Sequence, residues 1–177
     1  MIHINYREFV KQIKQAAKIV DPKREDYANV LVHATPNRTY IYASNEFILW
    51  SSFCPSSGDK EVKFFVKPEQ VKALRVPKRM EDVVVHIGED TVRLSFEEFD
   101  VTCPLAKKHL PFKMVIEAAN KNDYSYEITV DAKLLRKALG GLNKVTLKFP
   151  LGGNDTPIIL EDDERNSYNI IAPYRTF

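Results

Sequence analysis

Residues 6–21 read YREFVKQIKQAAKIVD. Wound as an α-helix at about 100° per residue, this stretch gathers Phe9, Ile13, Ala16, Ala17 and Val20 into a sector of about 100°. Arg7, Lys11, Lys14 and Lys18 fall into a separate sector of roughly 60°. The first set is the stripe that an amphipathic helix buries, and the second is a row of positive charge. For one helix alone, lysines on a solvated face are the ordinary explanation. Whether the row faces an anion depends on whether the rest of the chain repeats it.

Working outward, DPKRED has the proline and charges of a connection. ANVLVHA and TYIYASNEFILWSSF, rich in Val, Ile, Tyr and Phe, read as strands around the turn PNR. CPSSGDK closes this unit and KFFV opens the next. Lys67-Pro68 begins a short helix, since proline suits a first helical turn, with Val71 and Leu74 inward and a stop near Pro77. DVVVHIGEDTVRLSFEEFDVTCPL gives two strands about Gly88-Glu89-Asp90, and KKHLPFKMVIEAANKND reads as a linker with an extended apolar centre. YEITV is a strand, and DAKLLRKALGGLN is a helix capped by Asp131 and stopped by Gly140 and Gly141. The strands KVTLKFP, TPIILEDD and SYNIIAPY follow it.

A strand, a helix and two or three antiparallel strands thus recur three times, with helices beginning near residues 6, 67 and 131. A period of about 60 residues exceeds the usual solenoid range, so the chain reads as repeated small α+β units. Each helix pairs an apolar face with basic residues. The second carries Lys72, Arg75 and, where its last turn persists, Arg79; the third carries Lys133, Arg136 and Lys137, with Lys144 just beyond. Glu8, Glu69 and Asp131 sit in or before first turns, where carboxylates complement the helix dipole. The remaining acids, such as Glu97, Glu98 and the run Glu161 to Glu164, lie in strands or strand turns. Basic helices set against acidic sheet edges suit a surface that tracks phosphates without reading bases.

Composition bounds the alternatives. The 177 residues are 44% apolar and 28% charged, enough for one or two small cores, and the net charge of +2 is too mild to indicate nucleic acid by itself. No apolar run reaches the roughly 18 to 20 residues of a membrane span, and MIHINYREF has no signal-peptide core, so a cytoplasmic location without membrane contact is expected. Cys54 and Cys103 are far from each other in sequence and from any histidine in metal-ligand spacing, and both read as ordinary buried or half-buried residues. No phosphate loop, nucleophile elbow or metal-spaced cluster is present. The expectation is a protein without catalytic residues, metal or cofactor.

FVKQIKQAAKIV followed by ANVLVHATPNRTYIYASNEF, then FDVTCPLAKKHLPFKMV, then YEITVDAKLLRKALGGLN and PIILEDDERNSYNIIAPYRTF together resemble the bacterial DNA polymerase III beta subunit, the sliding clamp. The resemblance covers nearly the whole chain and rests on the order of degenerate apolar motifs. The ending departs from the family pattern by one extra residue. The resemblance implies an α+β DNA-clamp fold with helices on one face of the sheets. It implies a clamp domain of two repeat units over 1–106, an interdomain linker over 107–123 and a half clamp domain over 124–177. Family chains resemble six units, two chains closing a ring; three units here make a ring of four chains the simplest arithmetic, with a trimer, a dimer or an open monomer as alternatives. A compact phage or mobile-element clamp would suit the shortened architecture.

As a clamp, the chain would encircle duplex DNA without sequence preference, through Arg7, Lys11, Lys14, Lys18, Lys72, Arg75, Arg79, Lys133, Arg136 and Lys137. It would hold DNA polymerase and clamp loader peptides in an apolar pocket. Carried over by position, that pocket is Tyr27, Ser44 and Phe47 from unit one, Pro111 and Val115 from the linker, and Ile171, Ala172, Pro173, Tyr174 and Arg175 from the end. Aromatic and aliphatic walls with one arginine fit peptide capture. Tyr27, Phe47 and Ile171 have core as an alternative reading, Ile171 equally so, and Trp50 and Phe53 read as core or subunit edge. Two other functions fit the same residues: a clamp-like decoy that occupies the loader or polymerase without encircling DNA, and a small non-ring DNA-binding module.

Overall fold

The computed structural model describes residues 1–75, 82–121, 132–140, 145–148, 157–162 and 167–171. The first unit is β1 (Ile2–Asn5), α1 (Tyr6–Ala16), a 3-10 turn (Glu25–Tyr27), β2 (Val30–Ala34), β3 (Arg38–Ser44) and β4 (Ile48–Gly58). The second is β5 (Val62–Val66), α2 (Pro68–Ala73), β6 (Asp82–Ile87), β7 (Thr91–Ser95) and β8 (Asp100–Pro104). After α3 (Phe112–Asn120) come α4 (Ala132–Leu139), β9 (Thr146–Lys148), β10 (Ile158–Asp162) and β11 (Ser167–Ile171). All elements of the first two copies of the expected repeat are described, and those of the third from α4 onward, while the YEITV strand, the Asp131 cap and the Gly141 stop lie outside the described residues.

The strands run β5-β2-β3-β4-β1-β6-β7-β8, every pairing antiparallel, with β11, β10 and β9 branching from β4. The circuit nearly closes, because Leu105 bridges Phe64 and the Ala106 amide donates to the Lys63 carbonyl at 2.9 Å. β4 is the branch point: Ile48–Ser52 pair with β11, and Ser56–Gly58 pair with β1. The strand therefore runs five residues beyond Phe53, where CPSSGDK suggested a close. Gly58 makes this possible, since a Cβ there would stand 2.6 Å from the Met1 carbonyl oxygen and 3.0 Å from Ile2 Cα.

Alternation along the strands builds two cores. Val30, Val32, Ile41, Ala43, Ile48, Trp50, Leu160 and Ile171 face the helix side, where they meet Phe9, Val10, Ile13 and Ala16 of α1, Val71 and Leu74 from α2 and its end, and Ala138 of α4. Leu31, Tyr42, Leu49, Ile159 and Ile170 face the other way, toward Phe112 and Ala119 of α3. Burial on both faces explains why VLV and IIL read as continuous apolar runs. The three repeat helices share one face as expected. α3 covers the opposite one, and its helical form corrects the extended linker of the sequence reading: Phe112, Ile116 and Ala119 recur at helical spacing and bury together.

Phe9, Ile13 and Ala16 of the stripe are buried in α1 together with Tyr6, Val10 and Gln12, while beyond the helix end Val20 is buried and Ala17 half-buried. Asn5 caps the helix, its side chain accepting from the Glu8 amide at 3.0 Å. Pro68 opens α2, and the Gln70 side chain accepts from the Lys67 amide at 2.9 Å. Val71 and Leu74 point inward as expected. Trp50 belongs to the helix-side core, whereas Phe53 is half-buried under the Arg38 guanidinium, 4.7 Å from the ring centre.

Candidate functional site

Two surfaces carry the residues singled out in the sequence. The first is the outward side of the repeat helices. Because Phe9 and Ile13 point into the helix-side core, Arg7 and Lys11 are turned away from the sheet and are exposed, with Lys14 half-buried beside them. Lys18 stands just past the end of α1, exposed, its Nζ donating to Gln15 Oε1 at 3.1 Å. Lys72 of α2 and Arg75 beyond it are exposed, and Arg79 lies outside the described residues. Lys133, Arg136 and Lys137 of α4 are exposed, opposite the buried Ala138.

Several of these residues carry no ion pair among the described residues. Lys11 stands 3.9 Å from Glu8 one helical turn earlier, a solvent-exposed pair of small energetic weight. Among the described residues, Arg7, Lys14, Lys72, Arg75, Arg136 and Lys137 make no ion pair. Several acids are instead committed on the strand side, as with Asp90, whose carboxyl accepts from Lys107 at 2.6 Å and is thereby held below the usual carboxylate range. The described basic residues of α1, α2 and α4 thus share the helix side of the sheet.

The second surface surrounds the β3–β4 turn. Asn45 builds that turn: its Oδ1 accepts from the Phe47 and Ile48 amides, both at 2.8 Å, and its Nδ2 donates to the Ile19 carbonyl at 3.1 Å. Phe47 is held outward, 46% exposed. Ser44 is buried, its hydroxyl donating to the Ile48 carbonyl at 2.8 Å, so it shapes the turn from within. Tyr27 is half-buried, with the Arg24 guanidinium 5.8 Å from its ring centre, and Arg24 also pairs with Glu46 in the turn. Arg24 thus ties the 3-10 segment to the turn, a role that sequence reasoning missed because the two segments are distant in the chain.

β11 reaches the same place, since Ile171 pairs with Ile48, next to Phe47. Ile171 itself is fully buried in the helix-side core. Ala172, Pro173, Tyr174 and Arg175 lie outside the described residues. From the outer face, Phe112 stacks on Tyr42 at 5.7 Å, and burial pushes the Tyr42 phenol up to about 12, with smaller contributions from Tyr40 and Glu117. That anchor leaves Pro111 and Val115 exposed, and Met114 beside them is 68% exposed. Met114 was not singled out, and the helical spacing of α3 is the signal that exposes it. Phe47 on the β3–β4 turn and Pro111, Met114 and Val115 at the start of α3 are thus exposed apolar side chains.

Among the described residues, no three His, Cys, Asp or Glu side chains gather to hold a metal, and no helix is long and apolar enough to cross a membrane.

No family model and no curated protein matches the sequence. Solved structures do. The chain superposes on the Helicobacter pylori beta clamp bound to a DNA ligase peptide with a TM-score of 0.72, covering 100% of this chain and 67% of that one at 10% identity. The DNA polymerase sliding clamp of Bacillus subtilis matches with a TM-score of 0.72, 12% identity and coverage of 99% and 64%. That of Pseudomonas aeruginosa gives 0.72, 12%, 98% and 66%. The fold is that of a sliding clamp. The chain spans about two thirds of the length of each of these clamps. At such low identity the likeness lies in backbone architecture, so the chemistry of this clamp fold rests on its own side chains.

Proposed function

We propose that this chain is a DNA sliding clamp, a non-catalytic processivity factor whose copies assemble into a ring around duplex DNA. The observation that carries the reading is the shared outward face of α1, α2 and α4, where Arg7, Lys11, Lys72, Lys133, Arg136 and Lys137 are all exposed on the side opposite α3. Lysine and arginine side chains facing a duplex across water give weak, sequence-independent attraction, which sliding requires. In this reading residues 1–106 form one whole clamp domain, 107–123 the interdomain connection and 124–177 half of another. The β4–β11 ladder offers a template for joining units, and the equivalent edge of β8 pairs with β7 alone over Asp100–Pro104 among the described residues. Four chains supply the twelve units of a ring.

The second part of the reading is peptide capture. A short apolar segment of a polymerase or clamp loader docks beside Tyr27, Phe47, Pro111 and Val115, against the end of β11 and the Ala172–Arg175 segment. Exposed aromatic and aliphatic side chains held by the Asn45 turn and the α3 anchor support it.

Retention on DNA tests the ring. Loaded on closed circular DNA the protein stays, and on linear DNA with free ends it slides off at the same salt. Equal retention on both would overturn encirclement in favour of a groove-binding module. Absence of DNA association with polymerase or loader binding intact would make the protein a decoy. Replacing Lys11, Lys14 and Lys133 together by Ala lowers retention on circles and flattens the salt dependence, because fewer counterions are released.

A further inference from the structure

The closing strands of units one and two begin alike. The Asn45 amide donates to the Ile48 carbonyl at 3.0 Å before β4, and the Phe96 amide donates to the Phe99 carbonyl at 2.9 Å before β8. Counted from these turns, residues 99–103 stand where residues 48–52 stand. Their burial differs. Ile48 and Trp50, paired with β11, are 1% and 5% exposed. Phe99 is 37% exposed and Val101 half-buried, although alternation puts both on the helix side with the buried Cys103.

The β7–β8 ladder fixes what that edge offers. The Phe96 amide bonds to Phe99 at one end and the Leu105 amide to the Asp90 carbonyl, 3.1 Å, at the other. Between them Val101 and Cys103 bond to β7, and Asp100 and Thr102 turn their backbone groups outward. The Thr102 carbonyl bears this out, accepting from Gln70 Nε2 at 2.8 Å with one of its two lone pairs. Among the described residues, the outward groups of Asp100 and the Thr102 amide meet no further strand. Beyond Thr102 the edge closes, because Pro104 has no amide proton and Leu105 bridges Phe64.

β4 and β11, the closing strands of units one and three, already occupy each other, so the closing strand left to join β8 is β8 itself. We propose that β8 pairs with the β8 of a second copy of this chain, antiparallel about a twofold axis at Val101. Charge and proline set the register. An axis at Asp100 would place two carboxylates face to face. An axis at Thr102 would set Asp100 against Pro104, which has no amide to give. With the axis at Val101, Asp100 and the partner's Thr102 exchange both backbone bonds, and the ladder spans the same five positions that β4 gives to β11. Phe99 and Val101 are then covered by the partner's Cys103 and Val101. The contact is isologous and closed. It rests on the ring reading only in naming which edges of two chains meet.

Sedimentation equilibrium of the full chain across the micromolar range, without DNA, tests it. The expected mass is twice the 20.4 kDa of one chain, or a higher even multiple. Asp100 and Thr102 are exposed, so charge can be exchanged there without disturbing the core. Thr102→Asp sets carboxylates opposite each other twice over and is expected to raise the dissociation constant about tenfold. Thr102→Lys lowers it, and Asp100→Lys combined with Thr102→Asp restores association. In the unaltered chain, amide exchange at Asp100 and Thr102 slows as concentration rises, more than at Val101 and Cys103, which bond to β7. A monomer, an odd-numbered assembly, association indifferent to Thr102→Asp, or exchange independent of concentration would each overturn the proposal. The ring is judged separately. A dimer with these responses but no retention on circular DNA keeps the contact and rejects encirclement, whereas retention on circles that Thr102→Asp leaves unchanged rejects the contact alone.

Discussion

The rings of Phe112 and Tyr42 stack 5.7 Å apart at 21°, and through this contact α3 is fastened to the outer face of the sheet. Phe112→Ala removes a buried aromatic and is expected to cost about 3 to 5 kcal/mol. The loss is read from denaturant unfolding. Met114→Ala, on the exposed side of the same helix, is expected to change stability by less than about 0.5 kcal/mol.

The two faces of α1 separate stability from charge. Ile13 is fully buried, so Ile13→Ala is expected to destabilise by roughly 2 to 5 kcal/mol. Lys14→Ala is expected to leave the melting temperature almost unchanged. Equal melting temperatures for the two variants would contradict the face assignment.

The proposed peptide capture is tested at two aromatic residues, Phe47, which is exposed on the β3–β4 turn, and Tyr174. Phe47→Ala and Tyr174→Ala are each expected to weaken a polymerase-type peptide by about 1 to 3 kcal/mol, the range of a buried aromatic anchor. Circular dichroism of each variant separates lost affinity from lost fold. Fluorescence anisotropy showing undiminished affinity in both variants would remove the pocket.

Burial pushes the thiols of Cys54 and Cys103 from 9.0 up to about 12, with Glu8 adding to the effect at Cys54. Native protein is therefore expected to resist alkylation in mildly alkaline buffer, while denatured protein reacts at once. The linkage has a definite sign. Below pH 9.0 both folded and unfolded thiols are protonated and the stabilisation is fully present. Above it the unfolded chain loses protons first, so stability falls as pH rises toward about 12. Urea midpoints across that window, compared with those of a Cys54→Ala, Cys103→Ala variant, isolate the contribution.

Gly58 accommodates the backbone of β1 with no room for a side chain. Gly58→Ala is expected to destabilise by about 1 to 3 kcal/mol through overpacking, read from thermal unfolding. Gly88, where a Cβ would meet only the Thr91 carbonyl at 3.1 Å and its hydroxyl at 3.7 Å, is the milder comparison.

Much of the fold was legible because its signals are local. The α1 stripe, Val71 and Leu74, and the alternating strands follow from spacing within single elements. α3 was misread because Val115-Ile116 looks extended and Pro111 precedes it, although Phe112, Ile116 and Ala119 carry the helical period. The continuation of β4 through Gly58 was invisible for a different reason: Cys54–Gly58 is polar and is held as a strand by β1, more than fifty residues earlier. Of the candidate site, residue type and exposure could be read for the basic helices. The burial of Ile171, the Asn45 scaffold beneath Phe47 and the Arg24 tie arise from tertiary pairings that no window of sequence contains.

The division of β4 between two ladders also sets an order of assembly. Its pairing with β3 is a hairpin and forms cheaply, whereas Ile48 and Ile171 lie more than a hundred residues apart in the chain, so closing their ladder carries a large loop entropy. Units one and two can consolidate while the C-terminal region is still being synthesised, leaving the Ile48–Ser52 edge as a waiting template. The last strand to dock is then the first to detach, and the β11 amides are expected to exchange with solvent well before those of β3 during native-state opening.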